Sequence, residues 1–247
     1  MAVDGPGLIA RFHAARGDPE RAVLEGFHAL KHALRFGAAI EIACAPAAAP
    51  LAALAHRLAP DLEVWLSGHL TLVPAALFER LTPQPPSSGV AAIAARPRLD
   101  PLAVLEAPRA APLVLLDEPR HLGNLGAVVR VAAAAGAAAV LTTGRLEPWH
   151  PAALRGSAGL HYALPVARID TLPARPLIAL DPAGEPLRVA GIPDDAVLAF
   201  GSERRGLGAA LRERATRRLA IPMRAGVSSL NLATAVASVL YAWRLAR

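Results

Sequence analysis

The chain is poor in several things that common catalytic scaffolds require. One cysteine, Cys44, in 247 residues excludes a disulfide framework and a cysteine-rich zinc site, and suits a reducing cytoplasm. No serine sits in a G-x-S-x-G elbow and no phosphate-binding G-x-x-x-x-G-K occurs, which argues against a serine hydrolase and an ATPase. The longest strongly apolar run, Val131 to Leu141, is alanine-rich and about half the length of a membrane-spanning helix. The N-terminus carries no basic segment followed by an apolar core and cleavage site, so the expectation is a cytoplasmic protein with no membrane partner. Of eight histidines only His28 and His32 stand at i, i+4, without the carboxylate of a zinc-protease helix, so no metal is expected. Lysine is nearly missing, with Lys31 alone against 25 arginines. The net charge of +6 nevertheless favours an anionic partner such as nucleic acid.

What is present divides near residue 100. Arg21–Phe36 spaces Val23, Leu24, Phe27, Leu30 and Leu34 as on one helix. Apolar runs at Ala39–Ala43, Glu63–Leu66 and Gly89–Ala95 read as strands, and Leu51–Leu58 and Pro74–Leu81 as helices, giving a small α/β domain over residues 1–96. Pro97, Pro101, Pro108 and Pro112 make residues 97–111 read as a semi-rigid linker. In 112–247 short apolar strands alternate with helices: strands at Leu113–Leu116, Ala138–Thr142, Leu177–Leu180, Ala196–Phe200 and Leu219–Ile221, helices at Leu125–Ala135 and Ser229–Arg244. Such alternation predicts a parallel sheet covered on both faces, with ligands beyond the carboxyl ends of its strands.

Three loops in this half carry chemistry. In Asp117–Arg130 (DEPRHLGNLGAVVR), Asn124 can cap a helix and Arg130 offers a planar fork of donors. In Phe200–Leu207 (FGSERRGL), a strand ends in a glycine turn whose amides can receive a ligand, with Glu203 beside it; it is no Rossmann fingerprint. In Ile221–Asn231 (IPMRAGVSSLN), Ser228 or Ser229 can cap the following helix, and Ser229 and Asn231 need partners if buried. Each loop alone also reads as an ordinary capped or glycine turn.

In this order and spacing, N-L-G-A-V-V-R, F-G-S-E-R-R-G-L and I-P-M-R-A-G-V-S-S-L-N-L-A-T-A resemble the three motifs of the SpoU/TrmH family of RNA ribose 2′-O-methyltransferases, of the SPOUT superfamily. Val23–Leu30 and Gly89–Ile93 are similar, more loosely, to the ribosomal-protein-like substrate domain of many members. The resemblance implies an α/β fold with a C-terminal trefoil knot, which sequence physics would not propose. It also implies a homodimer, and S-adenosylmethionine held at Leu180, Gly201, Ile221, Met223 and Leu230. Asn124, Arg130, Glu203, Ser229 and Asn231 fall where members place the polar residues of the reaction. The implied substrate is structured RNA and not DNA, ribosomal RNA before transfer RNA, with Arg11, Arg16, Arg21, Lys31, Arg35, Arg204 and Arg205 as candidate phosphate contacts. A knotted RNA-binding protein without catalysis is the rival reading. One departure is visible: members carry Asp-Pro-x-Asn, whereas here four residues separate Pro119 from Asn124.

Overall fold

Buried strands need apolar residues on both faces, and the chain supplies such runs in two places. The computed structural model describes residues 4–170, 177–187, 191–202 and 205–247. In chain order its elements are α1 (Gly5–Ala15), β1 (Arg21–Glu25), α2 (Phe27–Arg35), β2 (Ile40–Ala45), α3 (Ala48–Leu58), α4 (Glu63–His69), β3 (Leu70–Leu72), α5 (Ala75–Phe78), β4 (Ala91–Ala95), α6 (Pro101–Glu106), β5 (Leu113–Leu116), α7 (Leu122–Ala135), β6 (Ala139–Thr142), α8 (Pro151–Gly156), β7 (Val166–Arg168), β8 (Leu177–Pro186), β9 (Val197–Phe200), α9 (Ala209–Arg214), β10 (Arg217–Ala220) and α10 (Leu232–Leu245). They form two compact units, one of the residues up to Arg98 with His150–Ala163, the other of Leu99–Trp149 with Leu164–Arg247.

The first unit is a sheet in the order β1-β4-β2-β3, with β4 antiparallel to β1 and β2, and β3 parallel to β2. Arg21–Phe36 is therefore not one helix. Ala22 to Glu25 are buried in succession, a strand pattern, and Gly26 at φ 98° ends the strand before α2 begins. Glu63–Leu66, expected as a strand, lies in α4, and the edge strand is Leu70–Leu72. Most arginines expected at phosphates are held by carboxylates. Arg11 and Arg21 donate to Glu41 at 3.0 and 2.9 Å, Arg35 donates to Asp61 at 2.6 and 2.9 Å, and Arg16 pairs with the buried Glu25.

Residues 150–163, assigned from sequence to the second half, are a clasp on this unit. Arg155 donates to Glu25 at 2.7 Å, the Tyr162 hydroxyl donates to Ala95 O at 3.1 Å, and His32 Nδ1 meets Ala158 O at 2.7 Å. Ser157 and His161, both fully buried, bond each other at 2.7 Å. The clasp turns at Gly159, which has φ +79° and where a Cβ would stand 2.3 Å from Ala29 O. Strain and clash coincide there, so Gly159→Ala is expected to lower stability by about 2 kcal/mol or more. Gly17 has open space around it, and Gly17→Ala is expected to stay within about 0.5 kcal/mol. Urea midpoints of the two variants, followed by circular dichroism, check the contrast.

The second unit is the expected parallel α/β sheet, in the order β10-β8-β9-β5-β6-β7 among the described residues, every neighbouring pair parallel. β5, β6 and β9 are buried at every position, as a sheet covered on both faces requires. The expected linker is not a spacer: α6 forms inside it, with Pro101 in its first turn and the Asp100 side chain accepting from Leu102 N at 2.9 Å. Its Leu105 is buried with Leu113, Leu115, Leu141 and Val197 in the core. α7 ends at Gly136, and Arg244 of α10 donates to Ala135 O at 2.9 Å, fastening the two helices together. Among the described residues no helix is long and apolar enough to cross a membrane.

Candidate active site

The site lies in the second unit, where β8, β9 and β10 end side by side. β8 pairs with β10 through Ala179↔Arg218 and resumes at Glu185↔Leu219, so residues 180–184 are looped out of the ladder. Asp181 shapes this bulge by accepting from Ala183 N at 2.9 Å, and Arg212 of α9 reaches its other oxygen at 3.3 Å. Arg212 also donates to Leu207 O at 2.9 Å, tying the bulge to the loop after β9.

That loop turns back on itself. Ser202 and Gly206 exchange backbone hydrogen bonds of 3.1 and 2.9 Å, and the turn folds so tightly that a Cβ on Gly201 would stand 2.0 Å from Gly206 C and 2.1 Å from Leu207 N. The glycine needed here is thus imposed by the chain's own backbone, not only by a ligand. Asp117, at the end of β5, secures both ends of the loop. Its N–H donates to Phe200 O at 2.8 Å, and its carboxylate accepts from Gly208 N at 2.7 Å and from the Thr143 hydroxyl at 2.9 Å. Sequence reading singled out neither Asp117 nor Arg212 for these roles, since nothing in their local spacing announces partners so distant in the chain.

Bulge, loop and the start of α10 enclose a cavity of about 230 Å³. Leu180, Gly201, Ile221, Met223, Ser229 and Leu230, six of the ten residues singled out from sequence, line it. Asn231 stands next to Leu230 and caps α10, its Oδ1 accepting from Ala233 N at 2.9 Å; it takes the place expected for Ser228 or Ser229. Ser229 and Asn231 are exposed rather than buried, so solvent meets the polarity that seemed to demand partners. The Asn231 amide donates to Asn124 Oδ1 at 3.2 Å, bringing the first and third motifs together. Asn124 is not a cap: α7 starts earlier, after His121, and Asn124 lies in its first turn. The N-termini of α7 and α10 thereby converge, and both helix dipoles favour negative charge at that point.

Arg130 is elsewhere. It is exposed, lies outside the cavity lining and makes no ion pair among the described residues. Six residues beyond Asn124, it is displaced by about 9 Å along α7 and about a third of a turn around it. Glu203 and Arg204 lie outside the described residues. No cluster of metal-ligating side chains exists among the described residues.

The profile of the SpoU rRNA Methylase family matches residues 111–241, more than half of the chain. The chain belongs to this family. It is 38% identical over 130 residues to an uncharacterised tRNA/rRNA methyltransferase of Synechocystis sp., a match covering 48% of this chain and 47% of that protein. It is 33% identical over 129 residues to the 23S rRNA 2′-O-methyltransferase RlmP of Bacillus subtilis, covering 48% and 52%. The match thus spans about half the length of these curated relatives. A solved RNA 2′-O ribose methyltransferase superposes with a TM-score of 0.73 at 28% identity, covering 99% of this chain and 96% of that one.

Three substitutions test how this cavity is built. Gly201→Ala is expected to push the 206–207 backbone away and lower stability by about 2 kcal/mol or more. A wild-type melting temperature would show that the loop does not turn as tightly as this. Asp117→Ala frees Gly208 N, whereas Asp117→Asn retains an acceptor for it. The melting temperature is therefore expected to fall in the alanine variant and to be largely restored in the asparagine variant.

Proposed function

We propose that this chain transfers a methyl group from S-adenosylmethionine to a ribose 2′-hydroxyl of structured RNA, ribosomal RNA before transfer RNA. The observation that carries the reading is the cavity at the carboxyl ends of β8, β9 and β10, walled by residues of the second and third motifs and adjoined by the Asn124–Asn231 pair that links the third to the first. The reading includes the finer assignments: a trefoil knot formed by the segments after β9 and β10, and an N-terminal ribosomal-protein-like domain that selects the RNA.

The cavity suits an adenosine. Leu180, Leu219, Ile221, Met223 and Leu230 give it apolar walls, and the backbone around Gly201 and Ser202 gives edge-on polar groups. S-adenosylmethionine would supply an electrophilic methyl on a sulfonium, a displacement that calls for no metal. The chain's part is to hold the attacking ribose oxygen in line and stabilise the charge that grows on it. Asn124 and Asn231 present amides for the ribose hydroxyls, and the two helix N-termini favour the developing oxyanion. A guanidinium is a poor base, so Arg130 orients the ribose and offsets the charge on its oxygen while solvent accepts the 2′-hydroxyl proton, the methyl–sulfur bond breaking to leave a neutral thioether.

Arg130 lies outside this cavity, which points to a second copy of the chain. Val227, Leu230, Tyr241 and Leu245 are exposed apolar residues at 49%, 40%, 40% and 79%. A homodimer covering them would let Arg130 of one subunit serve the cavity of the other. Sedimentation equilibrium tests the assembly. Arg130→Ala and Arg130→Lys are each expected to slow single-turnover methylation by about two orders of magnitude while cofactor affinity changes little. Rates at saturating RNA, beside calorimetry of the same proteins, check this. A full rate in Arg130→Ala removes the catalytic role, and absent cofactor binding in the wild type favours the silent RNA-binding reading.

A further inference from the structure

In an open parallel sheet a ligand crevice forms where the connections leaving two adjacent strands run in opposite directions. Here that point lies between β5 and β9. The chain leaves β5 toward β6, and leaves β9 toward β10 at the far edge. The motif-lined cavity is not at this point but further along, at β8 to β10. At the switch point itself is a second, larger cavity of about 680 Å³, bounded by the ends of β5, β6, β7 and β9 and sharing Ser202 and Gly206 with the first.

We propose that this second cavity binds the RNA nucleotide that is to be methylated, its phosphate on Arg145 and Arg205 and its base against Glu118. The inference rests on the methyl-transfer reading above and adds the place of the second substrate. Arg145 and Arg205 are exposed at the cavity and form no ion pair among the described residues, unlike Arg11, Arg21 and Arg35, which are neutralised. Two free guanidinium groups suit a phosphate. The Glu118 carboxylate can accept from the amino or imino groups of a base, and Ile169 and Leu211 give an apolar floor for its face. Of the three carboxylates on its lining, Asp117 is engaged by Gly208 N and the Thr143 hydroxyl and Asp170 stands 4.0 Å from Arg168, which leaves Glu118 as the acceptor beside two cations and an apolar floor. Such a set fits a nucleotide better than a metal ion, which needs clustered ligands absent among the described residues.

The backbone at Glu118 is built for such a task. Glu118 holds φ +45°, a left-handed conformation costly for a side-chain-bearing residue. It is kept there by a relay in which Thr143 Oγ1 accepts from Glu118 N at 3.0 Å and donates to Asp117 Oδ1 at 2.9 Å. The next residue of that loop, Gly144 at φ +81°, packs so closely that a Cβ would lie 3.2 Å from Glu118 Cα. Two loops thus fix the backbone that carries one exposed carboxylate.

The test titrates the isotope-labelled full chain with each of the four ribonucleoside 5′-monophosphates and follows amide resonances. Saturable shifts are expected at Glu118, Thr143, Gly144 and Arg145. Arg145→Ala and Arg205→Ala, both exposed, are each expected to weaken the response about tenfold for at least one monophosphate. Glu118→Gln is expected to change the preference among the four bases. S-adenosylmethionine affinity, read by calorimetry, should stay within about twofold in all three variants. Shifts confined to another surface, no saturable shift with any monophosphate, or wild-type binding in both arginine variants overturns the assignment. Monophosphate binding here without S-adenosylmethionine binding would defeat the methyl-transfer reading and leave the crevice standing; the reverse pattern defeats the crevice alone.

Discussion

The carboxylate of Asp117 is the constraint from which the rest of the site follows. It sits at the end of the central strand β5 and receives Gly208 N from one loop and the Thr143 hydroxyl from another, while its own N–H fixes Phe200 O. A loop whose two ends are held within one residue's reach must turn sharply, and it turns at Gly201, where no Cβ fits. The same loop forms a wall of both cavities, so the position of each depends on one short chain of hydrogen bonds. Charge-assisted bonds of 2.7 to 2.9 Å at a partly shielded site are strong enough to hold such a turn against its backbone strain.

Much of the second unit was legible in the sequence because its signals are local. Leu113–Leu116 and Ala196–Phe200 are apolar runs bounded by proline, glycine or aspartate, and each is a buried strand or, at its first residue, leads into one. The loops rich in glycine and small polar residues fall at strand ends, where a parallel sheet places its ligands. Six candidate residues share one cavity for that reason. Arg130 was named from spacing to Asn124, and spacing along a helix does not say which way a side chain faces.

The first unit was harder to read, for physical reasons. Val23, Leu24, Phe27 and Leu30 satisfy a helical repeat, yet Ala22 to Glu25 form a strand because the sheet buries them on both sides. Glu25, inside the segment expected as one helix, is buried and receives Arg16 and Arg155. Residues 150–163 read from sequence with the second half, because their partners, Glu25, Ala95 and the α2 helix, are distant in the chain and no local pattern announces them. The prolines of 97–111 suggested a spacer, but proline in the first turn of a helix is favourable, and Leu105 then finds the core.

The arginine distribution shows why net charge alone identifies a partner but not its place. A surplus of +6 says only that an anion is favoured. The arginines of the first unit that looked most available are largely spent on Glu41, Asp61 and Glu25. An exposed ion pair contributes little stability, but its carboxylate offsets the field that its arginine presents to a phosphate. Arg130, Arg145 and Arg205 form no ion pair among the described residues, and all three belong to the unit that holds the parallel sheet. On the proposed reading, recognition of the polymer and positioning of one nucleotide make different demands on the chain. The first can be spread over many weak and partly neutralised charges, as long as their sum is positive. The second needs a few unpaired guanidinium groups at fixed positions beside the reacting site, and the strand ends of a rigid parallel sheet are where a chain can supply them.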